Sequence, residues 1–244
     1  NDQLAGGFAR YSVDDEWLIP HFEKMLYDNA LLARTYLRAW QVTGHERHRL
    51  VAQKTLDWAL AEMLDPSGGF YASLDADSEG VEGLFYTWTP EEIESALGEL
   101  APLAIETFGV TESGHLDGRS ILHLPGGAPP DEVGTELEEL TDRLLSARTE
   151  RVRPALDDKV LSSWNSLMIS ALAEAGAVLQ RADYLDAARR CADFIWNGMR
   201  SPQGNLLRTW RHGEARLNAY LEDHAFLLEA LLDLYEATFD PVIF

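Results

Sequence analysis

The chain has one cysteine, Cys191, in 244 residues. A single thiol excludes a disulfide framework and a thiolate zinc cluster. Cys191 falls on an apolar helical face, where a packed thiol is the ordinary role, and a reducing, cytoplasmic setting is the expectation. No apolar run approaches the roughly 18 residues of a membrane span, and no basic-then-apolar leader opens the chain. Positive charge is scarce: twenty Lys and Arg stand against forty-one Asp and Glu, a formal charge of −21. Such a surface repels nucleic-acid phosphates and anionic membranes, so neither is an expected partner. P-loops, dinucleotide fingerprints, nucleophile elbows and zinc motifs are absent, and no cofactor is expected.

What is present is a repeat of glycine-rich turn, short strand, apolar helix and amphipathic helix. The turn Gly6-Gly7-Phe8 leads into a short strand ending at Tyr11, and a helix is expected from about Pro20 to Gly44. A second helix follows over Glu46–Leu64. The turn returns at Asp65–Tyr71, before two expected strands, Phe70–Leu74 and Leu84–Trp88, joined by the acidic loop from Asp75. Thr89-Pro90-Glu91-Glu92 carries a cap, a first-turn proline and the capping-box acid. Residues 99–158 are irregular, with a proline- and glycine-rich loop at Pro125–Pro130 and an amphipathic helix marked by Val133, Leu137, Leu140 and Leu144. They read as an insertion. Helices over Leu161–Leu179 and Tyr184–Met199 form the next pair, and Tyr220–Thr238 is apolar enough to be buried on several sides.

Alternating buried and amphipathic helices imply two concentric layers: an all-α partial α/α toroid with short β-hairpins between helices. The chain reads as a single toroid-like domain, 1–244, incomplete at both ends; a plain α-solenoid is the other architecture with this pattern. In a toroid the inner helices run parallel, so their N-termini meet at one end. Three starts carry polar groups there: Leu26-Tyr27-Asp28-Asn29, Ser163-Trp164-Asn165 and Leu221-Glu222-Asp223-His224.

Several motifs carry a family resemblance as well: Gly6-Gly7-Phe8, Arg10-Tyr11-Ser12, the run from Pro20 to Asp28, Asp75–Gly80, Leu156-Asp157-Asp158-Lys159, Ser163-Trp164-Asn165 and Leu232–Asp240. As a set they resemble the YyaL / spermatogenesis-associated protein 20 family. The resemblance implies a thioredoxin-like domain followed by a helical region similar to six-hairpin glycosidases and sugar 2-epimerases. This chain is similar to the front part of that helical region. It departs from the family pattern at Ala9, Ser166 and His224.

The residues suggest carbohydrate chemistry of the epimerase, isomerase or glycoside hydrolase type. Asp28 and Asp223 hold equivalent helix positions and suit an acid and base facing one cavity; alternatively each pairs with its own arginine, Arg10 or Arg208. Asp158 is a candidate acid or a helix cap. His21 and His224, expected near equivalent helix starts, suit proton exchange next to a carbonyl or act as structural donors. Tyr11, Trp164 and Asn165 are candidates for contacts with a sugar ring, as are Arg10, Arg208 and His224. The remaining histidines read as surface or loop residues. The loop from Asp75 to Glu82 begins like a calcium loop but has Tyr86 where the bidentate acid belongs; a solvated lid is expected and no metal. The expected partner is a small carbohydrate. The competing reading is a non-catalytic helical module that binds a protein or a sugar alongside a thioredoxin-like domain.

Overall fold

The computed structural model describes residues 1–125 and 134–241, so Val133 and most of the loop after Pro125 lie outside the described residues. In chain order the elements are β1 (Tyr11–Ser12), β2 (Pro20–His21), β3 (Lys24–Met25), α1 (Leu26–Thr43), α2 (Glu46–Glu62), β4 (Ser73–Leu74), β5 (Asp77–Ser78), β6 (Val81–Glu82), α3 (Pro90–Leu97), α4 (Ala101–Thr107), α5 (Gly134–Thr149), β7 (Leu156–Asp157), β8 (Val160–Leu161), α6 (Ser162–Leu179), α7 (Ala182–Gly198), β9 (Leu207–Arg211), β10 (Glu214–Asn218) and α8 (Leu221–Thr238). The chain divides into two compact units: Asn1–Lys24 with Leu74–Ala155, and Met25–Ser73 with Leu156–Phe244.

The first unit packs α3, α4 and α5 around Trp88, Ile93, Leu97, Phe108, Leu140 and Leu144. The capping box at Thr89 forms as the sequence suggests. Thr89 N–H donates to Glu92 Oε2 at 3.0 Å, and Glu92 N–H to Thr89 Oγ1 at 3.3 Å. Leu84–Trp88 is not a strand. Its carbonyls turn onto one guanidinium instead: Arg151 Nη1 donates to Leu84, Phe85 and Thr87 at 3.3, 3.0 and 2.7 Å. The acidic loop is itself a hairpin, β5 on β6, paired Asp77 with Glu82 and Ser78 with Val81. A buried ion cluster ties Asp2 to Lys24 Nζ and Arg148 Nη2, each at 2.9 Å. Burial alone would raise the Asp2 carboxyl, but the two cations hold it well below the usual carboxylate range.

The helix expected from Pro20 begins later. Pro20 and His21 pair antiparallel with Ser12 and Tyr11, because proline fits an edge strand that needs no donor at that position. Helix α1 opens only at Leu26, whose N–H donates to the Ala72 carbonyl at 2.9 Å.

The second unit has the two layers. α6 packs against α1, α7 and α8, and α1 against α2. Twelve residues of α6, from Ser162 to Gly176, are buried, so it is the most enclosed helix of the unit. Gly176 permits the close crossing of α7, since a Cβ there would lie 2.7 Å from Leu185 Cγ. Arg34 of α1 reaches Glu174 of α6 and Glu229 and Asp233 of α8, at 2.6, 2.9 and 2.8 Å. α8 departs from expectation: only Asp223, Ala230 and Leu234 are buried. Leu221, Leu228 and Leu232 are 84, 61 and 42% exposed, because the contacts to α6 and α7 use one face of the helix.

Candidate functional site

The first turns of the three inner helices meet. The Tyr27 ring of α1 lies 4.7 Å from the Trp164 ring of α6, tilted by 55°. Ser163 N–H of α6 donates to Asp223 Oδ1 of α8 at 3.1 Å. The Arg34 contacts match in order further along the same helices, so α1, α6 and α8 run parallel and present their N-terminal ends together. Leu26, Ser162 and Leu221 each open their helix, which puts Asp28, Trp164 and Asp223 at the third position of their respective helices.

Asp223 is wholly buried. Its Oδ2 accepts from Tyr220 N–H at 2.8 Å and from Arg208 Nη1 at 2.9 Å, and its Oδ1 takes the Ser163 N–H. The pairing with Arg208 is one of the two alternatives the sequence left open. With this set of donors and no exposure, Asp223 is a joint between α6, α8 and β9 rather than an acid open to a ligand. Arg208 also reaches Glu222 at 2.8 Å and lies 4.6 Å over the Tyr220 ring. The Glu222 hydrogen bond, with the nearby Asp223 charge, raises its already high pKa further.

Asn165 is buried too and reads the backbone. It accepts from Phe70 N–H at 2.6 Å and donates to the carbonyls of Phe70 and Leu161, both at 3.0 Å. The amide therefore clamps the Gly68-Gly69-Phe70 turn to α6, correcting its assignment to a ligand. Trp164, Tyr27 and Asp28 are each half-buried. Ser163 Oγ, on a residue 1% exposed, meets no hydrogen-bond partner among the described residues. Tyr27 and Ser163 belong to the quoted motifs, but nothing in their spacing marks them as site residues.

Other candidates belong to other elements. Arg10, Tyr11 and His21 belong to the first unit. His21 sits in β2, not on a helix; its Nδ1 is 2.7 Å from Glu82 Oε1, and its ring stacks on Tyr11 at 4.9 Å. Arg10 donates to Glu23 at 2.9 Å. In the second unit His224 is exposed. It lies about 200° around α8 from Glu222, at about 100° per residue, so it leaves the face that meets Arg208. The two histidines are therefore not at equivalent helix starts. Asp158 is held by Arg211 Nε at 2.5 Å and His212 Nε2 at 2.7 Å. Burial pushes its carboxyl up, yet these two partners together hold it below the usual range. His212, expected to be a surface or loop residue, is exposed in the β9–β10 turn and pairs with Asp158 there.

A cleft of about 650 Å³ lies in the outer layer, lined by Leu60, Leu64, Asp65, Arg190, Asp193 and Phe194 among others. It includes none of the candidate residues. Among the described residues no group of three or more His, Cys, Asp or Glu is arranged to hold a metal ion, and no helix is long and apolar enough to cross a membrane.

No protein-family model matches the chain. Spermatogenesis-associated protein 20 of Homo sapiens is 35% identical to it across 97% of this chain. The chain belongs to the spermatogenesis-associated protein 20 family. It spans 36% of that relative's length. Among solved structures, the cellobiose 2-epimerase of Bacillus thermoamylovorans B4167 aligns with 98% of this chain and 46% of its own, at a TM-score of 0.58 and 14% identity. A sugar epimerase from a ruminal bacterium aligns with 98% of this chain and 45% of its own, at a TM-score of 0.60 and 13% identity. At such identities the likeness is one of fold, and that fold is the α/α toroid.

Proposed function

We propose that the joined helix starts of α1, α6 and α8 bind a sugar ring, and that this member of the family is the sugar-handling part of a carbohydrate-active protein. The observation that carries the reading is the half-buried Tyr27–Trp164 pair, with ring centroids 4.7 Å apart, on the helix turn that also carries Asp28. Aromatic faces take the apolar side of a pyranose, and a nearby carboxylate accepts from its hydroxyls.

Within carbohydrate chemistry, the burial of Asp223 bears on the type of reaction. A hydrolase using Asp28 and Asp223 as its carboxyl pair would need both carboxyls at the scissile bond, and Asp223 has no exposure. The reading is therefore of the epimerase or isomerase type, a proton moved at a carbon next to a carbonyl, with Asp28 as the group that accepts it. Arg208 and Asp223 fix the frame. A melting-temperature screen against mono- and disaccharides tests this, since a ligand that binds only the folded state raises stability. At least one neutral sugar should raise the melting temperature of the wild type and fail to do so for Asp28→Asn. Indifference to every sugar, or an equal rise in the variant, would count against it.

A further inference from the structure

The β1–β2 hairpin of the first unit displays a ring that is 85% exposed, that of Trp17. The residue also holds a φ of +58°, a left-handed conformation that bulky side chains rarely adopt and that costs free energy. The loop around it is well tied. Val13 N–H donates to the Ile19 carbonyl at 2.9 Å, and Asp14 accepts from Ser12 Oγ at 2.6 Å and from the N–H groups of Leu18 and Ile19 at 3.1 and 2.8 Å. The indole is thus held outward by a braced loop. Tyr11, on β1 of the same hairpin, is 53% exposed and backed by His21, which Glu82 anchors. Asp15 and Glu16, immediately before Trp17, are exposed.

We propose that this hairpin is a second sugar-binding platform, on which Trp17 takes the apolar face of a pyranose and Asp15 and Glu16 accept hydrogen bonds from its hydroxyls. The ligand class is a neutral glycan. Flat aromatic surface next to carboxylates suits hydroxyl-rich rings, while a formal charge of −21 disfavours uronates, phosphorylated sugars and anionic lipid. The proposal rests on the reading that the chain handles sugars, but not on the helix-start site. Strain at the tip is the cost of presenting the ring rather than folding it in.

Calorimetric titration of cellotetraose into the wild type, Trp17→Ala, Trp17→Phe and Trp164→Ala is the test. Trp17→Ala should weaken binding about fivefold, the loss of one aromatic contact, and Trp17→Phe should restore most of it. Wild-type affinity in Trp17→Ala overturns the platform. If Trp164→Ala abolishes binding while Trp17→Ala is silent, only the helix-start site stands; the reverse pattern keeps the platform and removes the other. Absence of binding in the wild type overturns the platform for this ligand class. Trp17→Gly should melt no lower than the wild type, because glycine accepts the positive φ; a fall of several degrees would make the indole a packing element and overturn the proposal. A change in sedimentation on Trp17→Ala at unaltered sugar affinity would assign the ring to self-association, with the same consequence.

Discussion

Asp28 and Asp223 stand at the third position of α1 and of α8, in the same helix field, and their surroundings differ. Asp223 is buried under Arg208, Tyr220 N–H and Ser163 N–H. Asp28 is half-buried and follows Tyr27, whose ring packs on that of Trp164. Helix position alone therefore does not decide what a carboxylate does. The strand that follows in space does: β9 carries Arg208 onto the start of α8, and the acid there becomes a joint. An acid closed by donors holds the fold together, and the half-buried Asp28 is the one proposed for chemistry.

The contrast is broken or sharpened most strongly by stability. Asp223→Ala leaves the Ser163 and Tyr220 N–H groups without their acceptor and leaves the half-buried Arg208 with Glu222 alone, and should cost about 2–3 kcal/mol in urea unfolding, against about 1 kcal/mol or less for Asp28→Asn. Equal losses would erase the distinction. Asn165→Ala should cost about 2 kcal/mol by stranding the Phe70 amide and carbonyl; a neutral result would reopen Asn165 as a ligand contact.

The first unit offers a parallel with Asp2, also a buried, cation-held acid. Its folded pKa lies below the unfolded value, so the unfolded chain takes up the proton first as pH falls. The stability it contributes is present above about pH 4 and is lost as pH falls below it. Asp2→Asn should flatten that acid limb, and an unchanged limb would show that the pair contributes nothing. Least affected should be Glu222→Gln, which loosens a half-exposed contact to Arg208 and should cost under about 0.5 kcal/mol.

Much of the second unit is legible in the sequence because its helices run for 17 or 18 residues, α6 and α8 apolar on most sides and α7 on one face. The misplaced elements depend on distant partners. Leu84–Trp88 looks like a strand until Arg151, more than sixty residues on, gathers its carbonyls. Asn165 looks like a sugar ligand until Phe70, 95 residues earlier, takes both ends of its amide. Pro20 suits a helix start or an edge strand equally, and the pairing with Ser12 settles it. The apolar sequence of α8 states what could be buried, whereas contact with α6 and α7 states what is. At the site, the meeting of helix starts follows from the repeat, and the pairing of Asp223 with Arg208 is one of the two alternatives its sequence offers; that Ser163 N–H and Tyr220 N–H close the same carboxylate depends on how the helix starts come together.

The reading of the helix starts as one sugar site is tested most directly by a double-mutant cycle on Tyr27 and Trp164, with the affinity of a sugar found in the melting screen measured by calorimetry. Two rings flanking one pyranose should each cost about tenfold in affinity when cut to alanine, and the double variant should lose clearly less than the product of the two. Strict additivity, or affinities that ignore both rings, would contradict a shared site.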